Sequence, residues 1–225
     1  MVWRLLVVIV VLVLAVGLLR AEAGAPPPAG VPLYKGYETQ PYRVERSLGA
    51  AEIRAYGPSV VAEVAVRGPR ATAASRGFRI LAGYIFGQNT RGAEIAMTAP
   101  AEVEPRRPDG TRIAMTTPVA MAGRLSDPQA VWTIRFTLPA QWTLADLPRP
   151  RDAHVRLAER PARRVLVLRF AGAPGDALLA EKAAEITALA RAQGLHAAGP
   201  VEFQFYDPPL TLPFNRRNEA VLPLR

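Results

Sequence analysis

Two methionines occupy matching places in a repeated hexapeptide: IAMTAP at Ile95 to Pro100 contains Met97, and IAMTTP at Ile113 to Pro118 contains Met115. Thioethers are soft and polarisable, so Met97, Met115 and the nearby Met121 either line an apolar ligand pocket or fill gaps in a core. A second string, YDPPLTLPFNRRNE from Tyr206 to Glu219, sets Arg216 and Arg217 side by side. Paired guanidinium groups either grip a carboxylate through parallel hydrogen bonds or pair with Asp207 and Glu219 on a solvated edge. The only imidazoles are His154 and His196, and no His, Asp and Glu cluster has metal-ligand spacing. With no cysteine, disulfides, thiolate metal sites, Cys nucleophiles and CxxCH cofactor attachment are excluded. GxSxG, HExxH, P-loop and Rossmann glycine patterns are missing as well. Glu63, Glu94, Glu102 and Glu104 sit where strand alternation turns them to solvent, which gives no reason to pair them as catalytic carboxylates. These residues describe a binding protein rather than an enzyme.

The chain that carries them has 225 residues, 50% of them hydrophobic, enough for one sizeable core. Its formal charge is +9, and all of its 28 basic residues except Lys35 and Lys182 are arginine. Such a charge favours anionic partners, among them carboxylates, phosphates and lipid head groups. The arginines are dispersed and no recognition module is present, so no nucleic-acid partner is expected. Arg4 precedes an unbroken apolar run from Leu5 to Leu19, and Ala21-Glu22-Ala23 follows with the small residues a signal peptidase reads. As a helix the run reaches about 22 Å, short of the ~30 Å hydrocarbon core. Residues 1–23 therefore read as a cleaved signal peptide, with an uncleaved membrane anchor as the alternative. Residues 24–41 are too rich in Pro and Gly for a regular element and read as a linker, leaving 42–225 as the folded domain. The expected location is outside the cytoplasm, either periplasmic or anchored to the inner membrane and facing outward.

Strand and helix periodicities alternate through that domain. Tyr42 to Arg46 and Ala51 to Val66 read as strands, the latter with Val60, Ala62, Val64 and Val66 on one face. Pro69 opens a helix on which Ala74, Phe78, Leu81 and Ile85 form the apolar stripe, ending near Gly87. The two IAMT segments read as the strands of a hairpin around PRRPDG, with Thr98 and Thr116 hydrogen-bonding backbone at their ends. Strict alternation marks strands at Trp132 to Leu138 and Val165 to Phe170. Asp176 is placed to cap a second helix with Leu179, Ala183, Ile186 and Ala190 inward and Gly194 as its stop. Further strands are expected at Val201 to Tyr206 and Glu219 to Leu224. Val44-Glu45-Arg46 leads to a strand, Gly68 and a helix, and Ala158-Glu159-Arg160 leads to a strand, Gly172 and a helix, the pattern of an internal duplication. The expected fold is α+β: a distorted antiparallel β-barrel from two pseudo-symmetric halves, each with one flanking α-helix.

GYIFGQNTRGAEIAMTAP, the second copy IAMTTPV, and FQFYDPPLTLPFNRRNEAVLPL together resemble the SOUL haem-binding proteins, in the family's order and over Tyr42 to Leu224. The resemblance implies a barrel of two pseudo-repeats that binds haem or a related tetrapyrrole without covalent attachment. It also implies a groove by the first helix and the segment beyond YDPP, with Phe78, Ala82, Gly83, Thr211, Arg216 and Arg217 at its walls. Some members carry basic residues where Gly83 and Thr211 stand here, so Arg79 or the Arg216 and Arg217 pair is expected to meet the propionates instead. Met97 and Met115 either line a porphyrin or fill gaps in the core, and Tyr84 and Tyr206 are either phenolate ligands or buried phenols with hydrogen-bonded hydroxyls. No axial ligand is assigned. The expected role is that of a carrier, buffer or scavenger of haem at the bacterial envelope. The alternatives are a general module for amphipathic small molecules and a protein-interaction module without a small ligand.

Overall fold

The computed structural model describes residues 30–90, 110–127 and 129–225. The N-terminal apolar segment and the first strand of the expected hairpin, the IAMTAP copy with Met97 and Thr98, lie outside the described residues. Among those described, no helix is long and apolar enough to cross a membrane.

In chain order the elements are β1 (Leu33–Tyr34), β2 (Tyr37–Glu38), β3 (Tyr42–Leu48), β4 (Ala51–Tyr56), β5 (Ser59–Arg67), α1 (Arg70–Ile85) and β6 (Asn89–Thr90). Then follow β7 (Val119–Ala122), β8 (Val131–Thr137), β9 (Arg149–Pro150), β10 (Arg156–Arg160), β11 (Arg163–Phe170), α2 (Asp176–Ala192), β12 (Glu202–Phe205), a 3-10 turn (Pro213–Asn215) and β13 (Asn218–Pro223). Nine strands form one antiparallel sheet in the order β10-β5-β8-β7-β12-β13-β11-β4-β3, strongly curled into a half-barrel. Two matching arrays meet at β7 and β12: β5, β8 and β7 belong with α1, and β11, β13 and β12 with α2. The strand preceding each array is exchanged, since β4 pairs with β11 and β10 with β5. The strand taking the place of β4 in the other array is thus β10, so the VER string in β3 and the AER string in β10 do not stand on corresponding strands.

Both helices cover the same face. Met121 and Phe203 are directly opposite across β7 and β12, yet Met121 joins the cluster under α1 and Phe203 the cluster under α2. Each helix is launched by a glycine with left-handed backbone, Gly68 (φ 124°) and Gly172 (φ 115°), which side chains disfavour. The carbonyl of each is held by the closing strand: Trp132 Nε1 donates to Gly68 O at 3.1 Å, and Asn218 Nδ2 to Gly172 O at 3.0 Å. Trp132 is fully buried, and a methyl group on Gly123 would stand inside van der Waals contact of its ring. Gly123→Ala is therefore expected to displace the indole and cost about 1–3 kcal/mol, read as a lower urea midpoint at unchanged m-value.

Several local expectations are corrected. The Ala51 to Val66 run breaks at Gly57-Pro58 because proline removes a ladder donor. On α1 the buried stripe is Ala73, Gly77, Leu81, Tyr84 and Ile85, which turns Phe78 outward and leaves Ala74 half-buried. Gly77 sets that rotation, since its missing side chain admits Ile134 to 2.8 Å of where a Cβ would stand. The residue before α2 is Gly175, and Asp176 pairs with Arg70 at the start of α1 instead of capping the helix. The second IAMT copy is not a strand: Thr116 makes one isolated bridge to Glu38, and the ladder starts at Val119 after Pro118. Thr116 Oγ1 does donate to backbone, at Thr137 O. Regular pairing also begins before Tyr42, where β1 and β2 form a small hairpin through Lys35 and Gly36.

Candidate functional site

Alternation gives the face opposite the helices its chemistry. Strand positions facing the helices are Val, Ile, Leu, Phe and Trp, so their neighbours point to the other side, and there they include Glu63, Arg135, Glu202, Gln204, Arg54 and Glu219. Glu219 is completely buried, and its carboxylate is saturated: Oε2 accepts from Arg54 Nη1 (3.0 Å) and the Tyr206 hydroxyl (2.9 Å), and Oε1 from Arg217 Nε (3.0 Å) and Nη2 (2.6 Å). Arg217 also stacks on the Tyr206 ring at 4.1 Å, and Arg54 on Tyr42 at 4.2 Å. Burial, then the charge of Glu219, raises the Tyr206 phenol, which stays protonated and donates. A second network joins Glu202 to Arg135 and Arg160, and Glu63 to Arg135 and Arg156. Arg217 and Glu219 thus pair as the RRNE spacing allows, in the interior rather than on a solvated edge.

The β1–β2 hairpin straps across this face. Tyr34 donates to Asp207 Oδ2 at 3.0 Å and packs edge-on to Tyr206 at 5.3 Å, while Lys35 pairs with Asp207 Oδ1. Thr117 N–H donates to Glu38 O at 2.9 Å, and the Glu38 carboxylate accepts from Ala140 N at 2.7 Å. Burial works to raise the Asp207 carboxyl, but the hydrogen bonds from Arg217 N–H, Lys35 and Tyr34 outweigh it and hold it below its ordinary value of 3.8. A depressed acid contributes stability that is complete above its unfolded value and lost as pH falls through the folded one. Acid titration below about pH 4 should therefore loosen the strap, seen as Tyr34 and Tyr206 near-UV signal lost before the far-UV signal. Asp207→Asn should remove that early phase, and a strap insensitive to both acid and the substitution would contradict the assignment.

The sequence-predicted site residues fall into two groups. Phe78 and Ala82 on α1 and Phe86 at its C-cap recur every fourth residue along the outward side, with Phe78 and Phe86 38% and 42% exposed and Ala82 half-buried. Phe78 rests edge-on against Phe136 at 5.4 Å, which fixes its ring. Arg79 is exposed beside this stripe, and Arg112 lies over the Phe86 ring at 5.9 Å. The Gln88 side chain covers Gly83, whose missing Cβ makes room for that amide. Met115 is half-buried against the cluster under α1, and so serves packing. Tyr84 is buried and donates to Pro148 O at 3.0 Å, and burial pushes its phenol up to about 12.

Thr211, Arg216 and Arg217 form the other group. Arg216 donates to Thr211 O at 2.7 Å and to Pro209 O, bracing the loop, and Arg217 is committed to Glu219. The braced loop presents Leu210, Leu212 and Phe214 to solvent, Leu210 at 81% exposure. Its Pro213 carbonyl accepts from Gly172 N, and Pro174 O two residues further accepts from Arg70, so the loop and the start of α1 border one turn. Sequence reasoning missed Phe86 and the three loop apolar residues, although LTLPF between prolines is an apolar run that no strand or helix could bury. His154 is exposed, with Nδ1 2.8 Å from Asp152, and among the described residues no His, Asp and Glu group could hold a metal ion.

A curled antiparallel sheet with two helices on one face and an interior of paired charges defines a class of small α+β module. The chain belongs to the SOUL heme-binding protein family, whose model matches residues 37–223. Among solved structures it is similar to the EcmrR C-terminal domain (TM-score 0.54, 9% identity, 82% of this chain and 98% of that one). It is also similar to EcmrR in a cryo-EM complex with DNA (TM-score 0.56, 8% identity, 78% of this chain and 57% of that one). An uncharacterized conserved protein from Listeria innocua follows with TM-score 0.51, 13% identity, and 78% and 92% coverage. At such identities these likenesses establish the fold. No curated protein matches the chain. The group the family description implies is haem, and the α1 stripe fits its ring: an apolar floor about 12 Å long between two phenyl groups, small at its middle, with a cationic side chain at its edge.

Proposed function

We propose that the protein binds haem or a related tetrapyrrole noncovalently on the outward side of α1, at the bacterial cell envelope, as a carrier, buffer or scavenger. The observation that carries this reading is the stripe of exposed Phe78 and Phe86 with half-buried Ala82 between them, bordered by Arg112 over the Phe86 ring. Arg79 beside it supplies a guanidinium for a propionate, the part sequence reasoning also gave to Arg216, which braces its own loop, and Arg217, which is bound to the buried Glu219. The family description supports the ligand class. Bound haem would supply its own ligand-binding and redox chemistry, and the chain would hold the macrocycle and exclude solvent from one face. The apolar run from Leu5 to Leu19 supports delivery to the envelope. Hemin titration is expected to give a saturable Soret shift at one hemin per chain, reversed by protoporphyrin. A shift that never saturates, or one that lipid displaces more readily than porphyrin, would refute it.

A further inference from the structure

Three buried side-chain polar atoms among the described residues lack a hydrogen-bond partner: Ser59 Oγ, Trp142 Nε1 and Arg163 Nη1. Their residues line two adjoining spaces near the β10 edge of the sheet. The larger is a groove of about 440 Å³, within the size range of small-molecule sites, walled by Pro58, Val60, Leu138, Pro139 and Trp142 with Ser59 among them. The smaller is a polar cavity of about 10 Å³ under Arg135, Arg160 and Arg163, with Tyr56, Gln204 and Tyr206. Gln40 and Thr137 line both, so these two side chains form the partition.

Two of the three unpartnered groups, the indole N–H and the guanidinium N–H, can only donate, while the Ser59 hydroxyl can also accept, so an occupant reaching Arg163 must bring an acceptor. Charge agrees. Glu202 is shared by Arg135 and Arg160, and Glu63 by Arg135 and Arg156, whereas Arg163 has only the Gln40 amide oxygen at 3.0 Å and the Tyr56 ring at 4.7 Å. Burial, then the neighbouring charge of Arg160, lowers Arg163 to about 10 against the more distant pull of Glu202, with which it forms no ion pair. Of the groove's two carboxylates, Glu38 is satisfied by Ala140 N–H, and Glu159 is exposed at the rim where solvent screens it.

We infer that this groove is a second binding site, for an amphipathic carboxylic acid whose apolar body lies along Trp142 and Leu138 and whose carboxylate displaces Gln40 to reach Arg163. It shares no residue with the α1 stripe, so it stands or falls apart from the tetrapyrrole reading. The test is calorimetric titration of the full chain with decanoate, decanol and decyltrimethylammonium, each below its micelle concentration. Decanoate should bind at one per chain, about tenfold or more tighter than the other two, and Arg163→Gln should abolish that preference while leaving hemin affinity unchanged. Trp142→Phe, remote from the arginine cluster, should weaken decanoate several-fold and keeps the test alive if Arg163→Gln folds poorly. Decanoate binding no tighter than decanol, or unaltered by either substitution, would overturn the proposal and mean that a water satisfies Arg163.

Discussion

Replacing Glu219 by Ala should lower the unfolding free energy by about 3–5 kcal/mol, the largest effect expected of any polar residue described. The carboxylate meets four donors from three side chains, and its removal leaves Arg217 without its anion and Arg54, itself 4% exposed, with only the half-exposed Glu52 at 2.7 Å. Desolvation is the largest influence on both guanidinium groups and works against them, and the charge of Glu219, joined by Tyr56 and Glu52 at Arg54 and by Tyr206 and Tyr42 at Arg217, outweighs it and raises both above their ordinary range. Glu219→Gln keeps two acceptor positions and should lose less, so the ordering parent, Gln, Ala in urea denaturation is the expected result. Equal stability of all three would mean that water replaces the carboxylate and that this face is open rather than packed.

Hemin affinity should fall by on the order of fiftyfold when Phe78 and Phe86 are both changed to Ala. A macrocycle laid on the two rings removes roughly 100 Å² of apolar surface from water, about 2.5 kcal/mol at ~25 cal/mol per Å². Because both rings are more than a third exposed, the fold should survive their loss, with the Phe78 contact to Phe136 and the Arg112 contact to Phe86 given up. A double variant that binds hemin as the parent does would move the seat elsewhere, the loop carrying Leu210, Leu212 and Phe214 being the next candidate.

Strand and helix placement was legible wherever one face is greasy and the other wet: Trp132, Ile134, Phe136 and Leu138 are all buried, as their alternation requires. Where both faces are covered the signal fades. Val165 and Val167 alternate with Leu166 and Leu168, yet all four are buried, because on the far side the two valines share a small apolar cluster with Tyr56 and Val221 of the neighbouring strands. Helix α1 was found but rotated, since a period of 3.6 cannot tell Phe78 as core from Phe78 as seat, and Gly77 decides it by letting Ile134 approach. The RRNE string announced a pairing but not its depth. Arg54, between Ile53 and Ala55, carried no hint in sequence of its partner 165 residues away.

The exchange of β4 and β10 between the two arrays has a consequence for how the molecule exists. Each half lends a rim strand to the other, so neither possesses a complete sheet, and either one severed from its counterpart would expose a naked backbone edge prone to self-association. Assembly must await chain segments about a hundred positions apart, the kind of non-local pairing that slows folding.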